Sequence, residues 1–247
     1  MTGWAYRAVA NRLLYVGHAT VLIELDGVRL LTDPVLRERV WHLRRRVPLD
    51  VGALGRIDAA LVSHAHFDHL DRPSLQLLGP DVAFVVPVGA RRLLPEAAKV
   101  HEVGVGETVG IGEVTVHATP AEHSGARIFW SAPSLGFVVS GSRRVYFAGD
   151  TDLFPGMSAL AGSLDVALLP VAGWGAKVGP GHLDPLRAAQ ALQLLKPRLA
   201  VPIHWGTLSP FHRSTSSDPP EAFRQHAAEL APEVEIRILE PGAALTF

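Results

Sequence analysis

Cysteine is absent from the chain, which excludes a disulfide framework, a thiolate metal site and a cysteine nucleophile. A charge excess of either sign is also missing. Lysine and arginine number 23 against 24 aspartates and glutamates, for a formal net charge of -1. A dedicated nucleic-acid binder would carry a basic excess, so none is expected here. No apolar run is long enough to cross a bilayer. The opening stretch Met1-Thr2-Gly3-Trp4-Ala5-Tyr6-Arg7 lacks the basic-then-apolar pattern of a secretory leader. A soluble, cytoplasmic protein is the resulting expectation. The 247 residues are 48% hydrophobic and 19% charged, a globular composition with enough chain to bury a core. No linker, charge block or low-complexity segment divides it, so residues 1–247 are expected to form a single domain.

Histidine, by contrast, is plentiful, with 12 in the chain. Three of them fall with an aspartate inside six positions, in Ser63-His64-Ala65-His66-Phe67-Asp68-His69. The preceding Ala59-Ala60-Leu61-Val62 reads as a short buried strand. Positions two apart at a strand end point the same way, so His64 and His66 can share one target. Asp68 and His69 follow once the chain has begun to turn and can face a second target beside it. Imidazole nitrogens and carboxylate oxygens are the ligands that divalent zinc accepts. The pattern therefore predicts half of a two-metal hydrolytic site.

The remaining chain repeats one grammar, an apolar strand ending in a histidine or an aspartate. Leu13–Val16, Val21–Leu25 and Val28–Thr32 read as strands, joined by Gly17-His18-Ala19-Thr20 and by the hairpin signal Asp26-Gly27. The third of these strands ends at Asp33-Pro34. Later strands deliver His123, Asp150 and His204. Two zinc ions sharing a bridging oxygen need about six to eight protein ligands, and His64, His66, Asp68, His69, His123, Asp150 and His204 make up that set. Helices are expected after Asp184-Pro185 and Asp218-Pro219, each with a capping residue followed by proline. A strand-rich first half and an alternating second half predict an α/β protein of two sheets with helices on their outer faces. The connection over residues 35–50 is rich in arginine, with Arg37, Arg39, Arg44, Arg45 and Arg46 around Trp41 and His42. It reads either as a solvated loop or as a cationic lip for an anionic substrate.

Ser63-His64-Ala65-His66-Phe67-Asp68-His69 resembles the signature of the metallo-β-lactamase superfamily. So do Gly17-His18-Ala19-Thr20, Thr32-Asp33-Pro34, Thr119-Pro120-Ala121-Glu122-His123, Phe147-Ala148-Gly149-Asp150-Thr151, His182-Leu183-Asp184-Pro185 and Ile203-His204-Trp205-Gly206-Thr207. The likeness covers nearly the whole chain. Its nearest branch holds the N-acylphosphatidylethanolamine-hydrolysing phospholipase D and the ascorbate-6-phosphate lactonase. The resemblance implies a four-layer αββα sandwich. It implies that His64, His66 and His123 hold one metal ion, that Asp68, His69 and His204 hold the other, and that Asp150 bridges them. His18 matches a histidine near the site, and Asp33 a buried carboxylate that orients ligands. His182 matches a histidine on the substrate side, a candidate for contacting the substrate or helping the leaving group depart. Val171 to Gly181 and Leu208 to Ser217 match neither named activity.

The expected function is metal-dependent hydrolysis by a hydroxide bridging two divalent ions, acting on a phosphodiester or another small anionic ester. Asp68 could accept a proton from the water while remaining a ligand. A lactonase acting on a phosphorylated or acidic sugar lactone is the alternative enzyme. A non-enzymatic metal-binding module is the alternative of another class. Zinc suits the nitrogen and oxygen donors, and manganese or iron also fit. Trp130, Trp174, Trp205 and Phe211 are either pocket walls or core.

Overall fold

The computed structural model describes residues 10–96, 98–124, 126–127, 130–173, 178–210 and 218–247. The side chains of residues 126, 127, 130 and 131 lie outside that description. The chain begins with β1 (Arg12–Gly17), β2 (Thr20–Leu25), β3 (Val28–Thr32), β4 (Arg39–Val40), β5 (Leu43–Arg45) and β6 (Ala59–Leu61). Helix α1 (Arg72–Leu77) and strands β7 (Ala83–Pro87), β8 (Lys99–Val103), β9 (Thr108–Ile111) and β10 (Val114–Pro120) follow. Next come β11 (Ala126–Arg127), β12 (Trp130–Ser131), β13 (Leu135–Ser140), β14 (Arg144–Phe147) and β15 (Val166–Pro170). Helix α2 (Pro185–Leu195), β16 (Leu199–Ile203), β17 (Leu208–Pro210), helix α3 (Pro219–Leu230), β18 (Glu235–Ile236) and β19 (Ala244–Thr246) complete it.

Two seven-stranded sheets carry the architecture, in the orders β19-β1-β2-β3-β6-β7-β8 and β18-β16-β15-β14-β13-β10-β9. Their side chains alternate between two cores. Leu13 and Tyr15 of β1 enter the core between the sheets, while Val16 and Leu14 face the core around Leu70 and Leu75 of the α1 region. Val145 and Phe147 of β14 enter the same central core, and Tyr146 and Ala148 pack with α2 and α3. Strands covered on both faces read as continuous apolar runs for this reason. The result is the αββα sandwich expected from the sequence. Helix α2 starts at the Asp184 cap, whose carboxylate accepts from Arg187 N, with proline in the first turn. Its buried stripe of Ala188, Ala191, Leu192 and Leu195 lies on the second sheet.

Strand direction positions the site. Strands β3 and β6 run parallel in the first sheet, and β14, β15 and β16 run parallel in the second. Their carboxyl ends lead into Asp33, into Ser63-His64, into Gly149-Asp150, into Val171-Ala172 and into His204. Open α/β sheets place ligands at this end of parallel strands.

The arginine-rich connection is not an open loop. Strands β4 and β5 form a hairpin that pairs with β17, making a small third sheet of distant segments. Arg37 forks onto Asp71, with Nε and Nη2 at 2.7 and 2.6 Å from its two oxygens. Arg45 is buried and donates to the carbonyls of Val16 and Val35. Arg46 donates to Ser209. These three guanidinium groups hold the hairpin to the body, so the sequence expectation of a lip built from all five arginines does not stand.

Candidate metal centre

Two groups of donors meet at the carboxyl ends of the strands. In the first, His66 Nδ1 lies 3.0 Å from His64 Nε2 and 3.1 Å from His123 Nε2. The second contains His69 and His204, whose Nε2 atoms are 3.1 Å apart, with Asp68 Oδ2 at 3.8 and 4.0 Å from them. Asp150 stands between the groups. Its Oδ2 is 3.1 Å from His69 Nε2 and 3.9 Å from His64 Nε2, and its Oδ1 is 3.3 Å from His204 Nε2. Donors around an ion at about 2.0–2.1 Å lie roughly 3.3 Å apart along a tetrahedral edge, so these spacings suit ligands of shared ions.

The outward nitrogens decide which way the inner ones face. His204 Nδ1 donates to Ala172 O at 2.7 Å, and His123 Nδ1 to Gly181 O at 2.7 Å. His69 Nδ1 donates to Asp33 Oδ2 at 2.7 Å. Ser63 Oγ donates to the same Asp33 oxygen at 2.6 Å and accepts from His64 Nδ1 at 2.9 Å. Each of these four rings carries a proton outward, which turns its Nε2 towards Asp150. Asp150 Oδ1 is buried and lacks a hydrogen-bond partner. Such an oxygen is costly to bury without a cation or donor to meet it. The donor set therefore fits divalent metal ions.

Backbone strain gathers at the same place. His18, Asp33 and His204 all have positive φ, at 58°, 33° and 65°, a region that non-glycine residues leave unless the surroundings hold them. His18 N donates to Thr207 Oγ1, and His204 N to His18 O. Gly149, at φ 62°, has no such alternative, because a Cβ there would sit 2.6 Å from Ser63 Cβ and 3.0 Å from Leu135 O. That close approach lets Asp150 follow directly on β14.

A family profile described as a β-lactamase superfamily domain matches residues 28–205, well over half of the chain. The chain belongs to that superfamily. It is a metal-dependent hydrolase with the metallo-β-lactamase fold. A UPF0173 metal-dependent hydrolase of Caldivirga maquilingensis is 33% identical over 248 residues, covering 95% of this chain and 97% of that protein. The N-acyl-phosphatidylethanolamine-hydrolyzing phospholipase D 1 of Caenorhabditis elegans is 32% identical over 227 residues, covering 78% of this chain and 63% of that one. Among solved structures, the metallo hydrolase Igni18 of Ignicoccus hospitalis superimposes with a TM-score of 0.76 at 25% identity, covering 97% and 99% of the two chains.

The electrostatics of the hydrolase follow from burial and three carboxylates. Burial holds His64 well below the ordinary imidazole value, His123 at about 4 and His204 at about 3. His69 is the exception. Burial works against its charge, but Asp150, Asp68 and Asp33 surround it and lift its pKa well above the usual value. Burial also opposes the charge on Asp150, and His204 and His69 overcome it, holding the carboxyl well below its ordinary range. The metal-free hydrolase thus carries a proton on His69 at pH 7, and an ion taking His69 Nε2 must displace it. Zinc titration in buffers of differing ionisation enthalpy should show release of about one proton per chain, with affinity rising as pH rises. Proton-neutral binding at pH 7 would contradict this.

The sequence-derived residues outside the seven donors also converge here. His18 Nε2 lies 3.1 Å from Asp68 Oδ2, and its ring sits 3.8 Å from that of His204. Asp33 is fully buried and binds Ser63 N as well as Ser63 Oγ and His69. His182 comes closer to the donors than a substrate-side reading requires. Its Nε2 is 3.3 Å from Asp150 Oδ2, its ring packs edge-on against His123, and its side chain is 24% exposed. It forms a third group of potential metal donors with His123 and Asp150. Trp205 stacks on Tyr15 at 6.0 Å and donates to Pro202 O, so it packs the core rather than walling a pocket. Trp174 and Phe211, and the side chain of Trp130, lie outside the described residues. Sequence reasoning missed Ser63, which links His64 to Asp33, and the carbonyls of Ala172 and Gly181. A serine beside a histidine is too common to signal such a link, and a carbonyl leaves no mark in sequence. No helix among the described residues is long and apolar enough to cross a membrane.

Proposed function

We propose that this hydrolase cleaves a phosphodiester or another small anionic ester using two divalent ions, with zinc the first choice. His64, His66 and His123 would hold one ion, and Asp68, His69 and His204 the other, with Asp150 shared. The observation that carries this reading is the outward hydrogen bonding of four imidazole Nδ1 atoms, which aims four Nε2 atoms at one buried carboxylate. The similarity to a worm phospholipase named for a phospholipid substrate supports the phosphodiester class.

When bound, the ions supply a water acidic enough to ionise near neutral pH and positive charge for the oxygen under attack. The chain's own residues do the rest. Asp68 works against its burial, and His69, His18 and His204 hold it ionised far below the ordinary carboxyl range. It accepts a hydrogen bond from the attacking water and orients it. His18 fixes that carboxylate from behind, and Asp33 fixes the ring of His69. Asp150 raises the pKa of His182 in spite of its burial, which favours a proton there for donation to the departing oxygen. The His182→Gln enzyme should lose about a hundredfold in kcat with poor leaving groups and little with nitrophenolate, which needs no proton. Equal losses across a leaving-group series would remove His182 from that role.

The functional test is a screen of zinc-reconstituted enzyme on bis-nitrophenyl phosphate beside a panel of lactones. Turnover of the phosphodiester supports the reading. Turnover of lactones alone assigns the same centre to a lactonase, and turnover of neither overturns both.

A further inference from the structure

Among the described residues, six other than glycine have positive φ. Asp26 opens an Asp-Gly hairpin turn and Lys196 caps the end of α2, both positions where this backbone is ordinary. His18, Asp33 and His204 belong to the metal centre. That leaves Trp41, at φ 48°. Val40 pairs with Leu43, so Trp41 and His42 are the two residues of a tight turn. Turns of this length take glycine, asparagine or aspartate where φ is positive, and a bulky aromatic residue is an outlier there. Trp41 is also 73% exposed, more than any other large hydrophobic residue among those described. The strained backbone costs stability, and an indole left mostly in water contributes little burial to offset it.

The root of this hairpin is fixed. Arg37 is clamped on Asp71, Arg45 on two carbonyls, and Val40 and Leu43 pack with Val35 and Leu208. The tip is held against the ligand-bearing turn. The Trp41 ring meets Phe67 edge-on with centroids 4.7 Å apart. Phe67 stands between His66 and Asp68, one residue from each donor group. Phe67 also packs on Val35, Val40, Leu43 and Leu208, so an aromatic surface runs from the turn that carries the donors to the open face of Trp41.

We propose that Trp41 and Phe67 form the subsite for the apolar part of the substrate, an alkyl or aryl group carried by the ester whose charged end meets the metal centre. This rests on the metal-centre reading above. Strain kept at a turn points to a function for the residue that causes it. Rigid aromatic faces bind apolar groups at little ordering cost. A second copy of the chain is the poorer occupant, because one side chain of about 250 Å² or less falls well short of the roughly 800 Å² per partner of a stable interface.

The test titrates methyl, butyl and octyl phosphate into the zinc-reconstituted protein by calorimetry, with no turnover required. Affinity should rise with chain length in the unmodified protein. Trp41→Gly should lower the octyl-to-methyl affinity ratio about tenfold, Trp41→Phe should keep most of it, and the glycine variant should melt no lower than its parent. A flat chain-length series, or a ratio unchanged by Trp41→Gly, would overturn the subsite. A change of sedimenting mass on Trp41→Gly would overturn it too, assigning the tip to a contact between copies. Chain-length dependence without hydrolysis of any ester would leave the subsite standing and sink the proposed function; ester hydrolysis with a flat series would do the reverse.

Discussion

The Asp150→Ala and His66→Ala proteins should lose bound metal and turnover together, by on the order of a thousandfold in kcat/KM. Asp150 is the group that both donor sets face. Its oxygens lie 3.1 Å from His69, 3.3 Å from His204 and His182, and 3.9 Å from His64. Removing it takes away a charge that four imidazoles surround and leaves two half-sites with nothing between them. His66 belongs to the first group alone, so its removal should spare more of the second ion than loss of Asp150 does. Elemental analysis beside steady-state rates checks both statements. Full turnover in either variant would contradict the ligand assignment, and so would an unaltered metal content.

Asp33→Ala should be the most damaging substitution that touches no metal donor atom itself. The carboxylate is fully buried and accepts from Ser63 N, Ser63 Oγ and His69 Nδ1 within 2.7 Å. Breaking a buried charged network by removing one partner costs about 3–5 kcal/mol, and loss of the group that orients a ligating histidine costs about 10–100-fold in metal affinity. Alanine also tolerates the positive φ of this position poorly, whereas asparagine tolerates it well. Asp33→Asn should therefore recover part of the stability while metal affinity stays low, since its amide turns a donor towards His69 or towards Ser63. Chemical denaturation of metal-free protein together with zinc titration separates the two effects. A variant that is destabilised yet binds zinc with its original affinity would reduce Asp33 to a fold-keeping residue.

Much of this molecule can be read from residues that act locally. The H-x-H-x-D-H turn, the Asp-Gly hairpin and the Asp-Pro helix starts each bring their partners within a few positions, so spacing alone predicts them. Unbroken apolar runs along β1 and β14 announce strands buried on two faces. Partners remote in sequence leave no such trace. Residues 43–45 pair with 208–210 across the fold, which turned a presumed arginine loop into a small sheet. Arg37 and Arg45 looked like solvent-facing charge and are anchors, because their long stems can reach a carboxylate or carbonyls that only the tertiary structure supplies. Trp205 followed a site histidine and still packs inward, held by Tyr15 and the Pro202 carbonyl. Strain at His18, Asp33 and His204 was equally invisible, since side-chain identity does not report φ.

The most direct test of the central claim is the metal content of protein purified without added metal or chelator, measured per chain. The account predicts about two equivalents of zinc, manganese or iron, as a shared carboxylate between two donor groups requires. Less than about half an equivalent, not restored by added metal, would contradict it and leave the four inward-facing imidazoles without the ions they fit.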